Sequence, residues 1–99
     1  MALLLFLDTT FEICRILISE NSAILFAVED RRKLRHSQKL LPNLDYALKI
    51  TEKKITDFDY FAAPIGPGSF TGIRIALATA KSFAFALNKK LTVVNNLEL

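Results

Sequence analysis

Apolar residues open the chain in three short blocks. Ala2 to Leu7 is an unbroken apolar run, Phe11 to Ile18 is β-branched and interrupted by Glu12 and Arg15, and Ala23 to Val28 is apolar again. Blocks of this length and composition predict strands. The connectors Asp8-Thr9-Thr10 and Glu20-Asn21-Ser22 are short and built from turn-forming residues, so the three strands are expected to run as an antiparallel meander.

The period then changes. After a polar, mostly basic stretch from Glu29 to Lys39, Leu40, Leu44, Ala47 and Leu48 recur at helical spacing, with Leu41 beside them, which predicts a first helix. Pro42 is compatible with its first turn or with a kink, because a deeper proline removes a backbone hydrogen bond and clashes with the preceding turn. Tyr60 to Ile65 predicts a fourth strand, Gly66 to Gly72 a glycine-rich turn, and the following segment a long helix ending near Leu87 and closed by Asn88-Lys89-Lys90. Leu91 to Val94 predicts a fifth strand, parallel to the fourth through a right-handed crossover. The fold class is therefore α/β, in the order β-β-β-α-β-α-β, with a mixed five-stranded sheet.

Along the second helix, Gly72, Ala76, Ala80 and Ala84 recur every fourth residue. The stripe is smooth enough for another helix to approach closely. Ile73, Ile75, Leu77, Phe83, Phe85 and Leu87 occupy the rest of the circumference, so the helix is expected to be covered on more than one side. The sheet and the first helix cover part of it. A further chain segment or a partner is expected to cover the remainder.

Size sets the ceiling at one core: 99 residues, 52% hydrophobic and 23% charged, make a single domain over 1–99 rather than a disordered chain. Thirteen basic against ten acidic residues leave a net charge of +3, compatible with nearby nucleic acid without requiring it. Arg31, Arg32, Lys33, Arg35 and Lys39 form the densest cluster; with no interleaved aromatics it reads as a solvated loop. The lone Cys14 excludes an internal disulfide and fits a strand core in a reducing compartment. No apolar segment reaches the roughly 18 to 20 residues that span a bilayer, and the opening run lacks a positive lead-in and a cleavage site. A soluble cytoplasmic chain is expected.

The turn Gly66-Pro67-Gly68-Ser69-Phe70-Thr71-Gly72 joins a strand to a helix, a setting that can cradle an anion. It is neither a Walker A loop nor G-x-G-x-x-G. The spacing favours a tight turn at Gly66 and Gly68 with Ser69 or Thr71 capping the helix, and phosphate holding by Gly66, Gly68, Ser69, Thr71 and Gly72 stands as the alternative. Asp8 reads as a turn cap rather than a metal ligand. His36, the only histidine, reads as a helix-start residue. No nucleophile-base constellation and no metal set is predicted.

The stretch G-P-G-S-F-T-G-I-R-I-A-L-A-T-A-K, Gly66 to Lys81, resembles the signature of the TsaB (YeaZ) family. Leu5 to Thr10, His36-Ser37 before Leu40-Leu41-Pro42, and the element order extend the likeness over nearly the whole chain. The resemblance implies an actin-like ATPase (ribonuclease H-like) domain. It also implies a non-catalytic partner of TsaD, which places threonylcarbamoyl on adenosine 37 of tRNAs reading codons that begin with A. On this reading TsaD, and through it TsaE, or a second copy when TsaD is absent, would pair with the two helices. Leu41, Leu44, Leu48, Ile73, Ala76, Ala80 and Phe83 are then the candidate contacts. No cofactor is implied, ATP being held, if at all, with the partner subunit, and tRNA contact is expected to be indirect or weak. The chain departs from the family pattern at Ala76 and Ser82, where glycines are common, and the family's second domain is absent from it. The turn at Asp8-Thr9-Thr10-Phe11 lacks the glycine that lets backbone approach phosphate in nucleotide-hydrolysing relatives.

Overall fold

Leu3, Leu5 and Leu7 alternate with Leu4 and Phe6 along the first strand, and burial alternates with them. The computed structural model describes residues 2–10, 13–66 and 70–95. Strands β1 (Leu3–Asp8), β2 (Cys14–Glu20) and β3 (Ala23–Asp30) are followed by helix α1 (His36–Thr51), a 3-10 turn (Ile55–Asp57), β4 (Tyr60–Gly66), α2 (Phe70–Leu87) and β5 (Lys90–Asn95). The sheet order is β3-β2-β1-β4-β5. β1 pairs antiparallel with β2 and β2 with β3, whereas β1–β4 and β4–β5 are parallel. The mixed five-stranded sheet is thus as expected.

Register decides which side chains form the core. Leu5 lies opposite Ile18 on one side and Phe61 on the other, and Leu7 opposite Ile16, so these residues share one face of the sheet. That face packs on Leu40, Leu44 and Ala47 of α1 and on Ala76, Ala80 and Ala84 of α2 in one continuous core. Each fully buried Leu, Ile or Phe there contributes about 1.5–3 kcal/mol of transfer free energy. Cys14 joins the same core, as its apolar context predicts.

The turns carry the conformations their residues permit. Asn21 and Ser22 both have positive φ, 51° and 72°, the two-residue I′ geometry that matches strand twist. Glu52 and Asn88 adopt the left-handed conformation after α1 and α2, and Lys89 N–H donates to the Ala84 carbonyl, ending α2 where the sequence predicts. Pro64 lies in a central strand, yet the β1–β4 ladder runs only from Tyr60 to Ala62. Its missing N–H therefore costs no bond to β1.

Several boundaries differ from the sequence expectation. β2 runs from Cys14, Phe11 and Glu12 of the expected strand lying outside the described residues, and α1 starts at His36, with Arg35 N–H donating to Gln38 Oε1 and Gln38 N–H to the Arg35 carbonyl. Pro42 consequently sits in the second turn of α1, not the first. The glycine-rich turn is shorter than Gly66 to Gly72: Gly66 ends β4, and Thr71 and Gly72 already belong to α2. Gly68 and Ser69 lie outside the described residues.

Candidate partner-binding face

Helix α2 lies chiefly against β4 and β1 and meets α1 only briefly. Ala76 and Ala80 are 0% exposed and Ala84 is buried with them. The small-residue stripe therefore lets α2 settle onto the sheet, correcting the expectation that it faces another helix. Leu44, Ala76 and Ala80, three of the candidate contacts, are core residues of this chain, and Leu48 is half-buried against that core. The side chain of Ile73 lies outside the described positions.

Part of the apolar surface left open lies between the two helices. Leu40, Leu41, Ile75, Thr79, Ser82 and Phe83 line a groove of about 340 Å³. Leu41 is 58% exposed at its rim, and Phe83 stacks on Phe61 of the sheet with ring centroids 5.7 Å apart. The Thr79 hydroxyl donates back to the Ile75 carbonyl at 2.8 Å, so the groove presents an apolar surface there. Further along α2, Phe85 is 89% exposed. Phe85 is absent from the candidate contacts, although helical periodicity carries the signal: nine residues from Ala76 is half a revolution from the buried stripe.

A second feature occupies the junction between β3 and α1. Asp30 accepts from Arg32 through Nε and Nη2, from the Arg32 N–H and from Asn43 Nδ2 at 2.8 Å. The Arg32 guanidinium, then the Asn43 amide, hold its carboxyl well below the usual carboxylate range, against the opposing effect of burial. Lys39 is fully buried beneath, its ammonium donating to the Arg32 carbonyl at 2.9 Å and to the Asp30 carbonyl at 3.4 Å. Within the expected basic cluster, one lysine is thus a structural strut. Burial pushes the neighbouring Cys14 thiol up to about 11, an effect Lys39 partly offsets, leaving it protonated and unreactive at neutral pH.

At the end of β1, Asp8 Oδ1 accepts from the Thr10 N–H at 2.8 Å, the turn cap expected of it, while Oδ2 faces Arg15 at 3.4 Å. Thr9 Oγ1 accepts from the Ala76 N–H in α2 at 3.0 Å. No sequence signal marks that contact. His36 opens α1 as expected. Of the anion-cradle candidates, Gly68 and Ser69 lie outside the described residues, and the arrangement at Gly66, Thr71 and Gly72 is described only for the backbone. Among the described residues no group of three or more potential metal ligands comes together, and no helix is long and apolar enough to cross a membrane.

The family model "TsaD: tRNA N6-adenosine threonylcarbamoyltransferase" matches residues 30–99. The tRNA threonylcarbamoyladenosine biosynthesis protein TsaB of Buchnera aphidicola subsp. Schizaphis graminum is 27% identical over 98% of this chain and 46% of its own length. A tRNA N6-adenosine threonylcarbamoyltransferase of Kosmotoga olearia is 40% identical over 64% of this chain and 19% of its own. The solved structure "YeaZ from Pseudomonas aeruginosa" superposes with a TM-score of 0.90 at 32% identity, covering 98% of this chain and 45% of that one. The chain spans less than half the length of these relatives. Its fold is the actin-like, ribonuclease H-like one, as the resemblance implied. With a family model over most of its length and TsaB relatives over nearly all of it, the chain belongs to the threonylcarbamoyltransferase family and stands within it among the TsaB (YeaZ) proteins.

Proposed function

We propose that this chain is a non-catalytic partner in formation of N6-threonylcarbamoyladenosine at position 37 of tRNAs reading codons that begin with A. It pairs with the TsaD transferase, and through it with TsaE, by way of the groove between α1 and α2. When TsaD is absent, a second copy occupies the same groove. The observation that carries this reading is the apolar cleft between the helices, with Leu41 exposed at its edge and Phe85 standing out of α2. Exposed large side chains beside a pocket are the usual anchors of a protein interface. Support for the pathway comes from the relatives named for threonylcarbamoyladenosine biosynthesis. A cytoplasmic location goes with this role.

The non-catalytic assignment has its own physical support. The sole thiol is buried and protonated, and Asp8 is engaged in its turn and with Arg15. Neither is poised as a nucleophile or base.

Size-exclusion chromatography with light scattering tests the proposal directly. The wild-type chain is expected to co-elute with purified TsaD, and Leu41→Arg to elute alone while melting like wild type. Co-elution of a folded Leu41→Arg/Phe85→Ser double variant with TsaD at wild-type strength would move the interface elsewhere. Failure of the wild-type chain to bind TsaD or itself at any concentration up to about 100 μM, far above typical specific affinities, would reject the reading.

A further inference from the structure

The segment from Glu29 to Lys39 holds five of the 13 basic residues and two of the 10 acidic ones, leaving eight of each elsewhere. It therefore carries the entire net charge of +3. Sequence alone reads such a run as a solvated loop. The structure adds that the loop is held from beneath: buried Lys39 clamps the carbonyls of Asp30 and Arg32, Asp30 grips both Arg32 and Asn43 of α1, and the Leu34 N–H closes a turn on the Arg32 carbonyl.

Two of the cations are consumed locally. Arg32 pairs with Asp30 and Arg31 with Glu29, the latter at 3.0 Å and with Arg31 67% exposed. Lys33 and Arg35 are exposed, and among the described residues neither forms an ion pair. A basic loop whose backbone is held by such bonds loses less conformational freedom on meeting a ligand than a floppy one. With no Phe, Tyr or Trp among residues 29–39 to stack on bases, it suits repeated phosphates better than bases.

We infer that the 29–39 segment, with Lys33 and Arg35 as its contacts and Arg31 as a third once it leaves Glu29, is a docking surface for the phosphate backbone of an RNA. The surface is distinct from the helix groove. It rests on the preceding reading only for the identity of the polyanion, a tRNA. The contact is weak, blind to sequence and steeply salt-dependent, because its driving force is release of counterions.

Fluorescence anisotropy with a labelled unmodified tRNA transcript, titrated with the full chain at salt concentrations from about 50 to 200 mM, tests it. Lys33→Ala/Arg35→Ala is expected to bind on the order of tenfold more weakly at the lowest salt, with a log-log salt slope shallower by about two. Lys33→Arg/Arg35→Lys is expected to keep both affinity and slope. Circular dichroism confirms that each variant is folded. Binding of the folded double-alanine variant within twofold of wild type would overturn the inference. So would equal or tighter partitioning of wild type onto phosphatidylserine vesicles, which would make the patch a membrane-surface element. The two proposals fail separately: the double-alanine variant still co-elutes with TsaD, and Leu41→Arg still binds the tRNA.

Discussion

Thr9 Oγ1 accepts a hydrogen bond from the Ala76 N–H at 3.0 Å, tying the turn after β1 to α2 across 67 residues of sequence. Both residues are buried, so the bond fixes where α2 lies along the central strand, and with it the position of the groove. Thr9→Val keeps the shape and removes the acceptor. The expected loss is about 1 kcal/mol, against a smaller one for Thr9→Ser, read from urea midpoints at constant slope. Equal stability of Thr9→Val and wild type would mean that the contact contributes nothing.

Asp30 makes stability depend on acid. Its carboxyl is held below the usual range in the folded state, so the unfolded chain binds its proton more readily than the native one. The stabilisation is present above the unfolded value, about 3.9, and is lost as pH falls through the lower folded value. Asp30→Asn is expected to be less stable than wild type at pH 7 and to lose less on acidification between about pH 4 and pH 2. Parallel urea titrations at several pH values check this, and parallel curves for the two proteins would remove Asp30 from the acid transition.

Cys14 should be silent in the native protein. Buried, with its thiol pushed up to about 11, it exposes neither thiolate nor sulfur. A thiol reagent at pH 8 is expected to leave native protein unlabelled and to label it stoichiometrically in denaturant. Rapid native labelling would require either an opened β2–α1 contact or an ordinary thiol.

Much of the fold is legible in the sequence. Strand blocks, connectors and the period change at Leu40 give the element order because each element states its own period. What periodicity leaves open is which neighbour a face meets. Ala76, Ala80 and Ala84 suit a sheet as well as a helix, since both accept a smooth surface, and the pairing of Leu5 with Phe61 in the sheet core that they join is a long-range fact. Lys39 is likewise unreadable: in sequence it belongs to a basic run, and only the fold turns it inward onto two carbonyls. Arg35 and Gln38, reciprocally bonded, start α1 four residues before its first periodic leucine. That displaced the first turn and left Pro42 in the second.

The sheet-facing role of the small stripe has a direct test on one helix. Ala80 is fully buried between α2 and the sheet, whereas Ala78, two residues earlier, is exposed. Leucine has higher volume but no lower helix propensity than most residues, so the same substitution at both sites separates packing from propensity. Ala80→Leu forces extra methylenes into a filled space and is expected to cost about 1–3 kcal/mol. Ala78→Leu is expected to stay within about 0.5 kcal/mol of wild type. For a domain of this size, 1 kcal/mol corresponds to roughly 4–8 °C in Tm, well within the resolution of a thermal melt. If instead both variants melt with wild type, the stripe is not closed by the sheet and α2 has room beneath it. If Ala78→Leu alone is destabilised, the buried face of the helix is the opposite one.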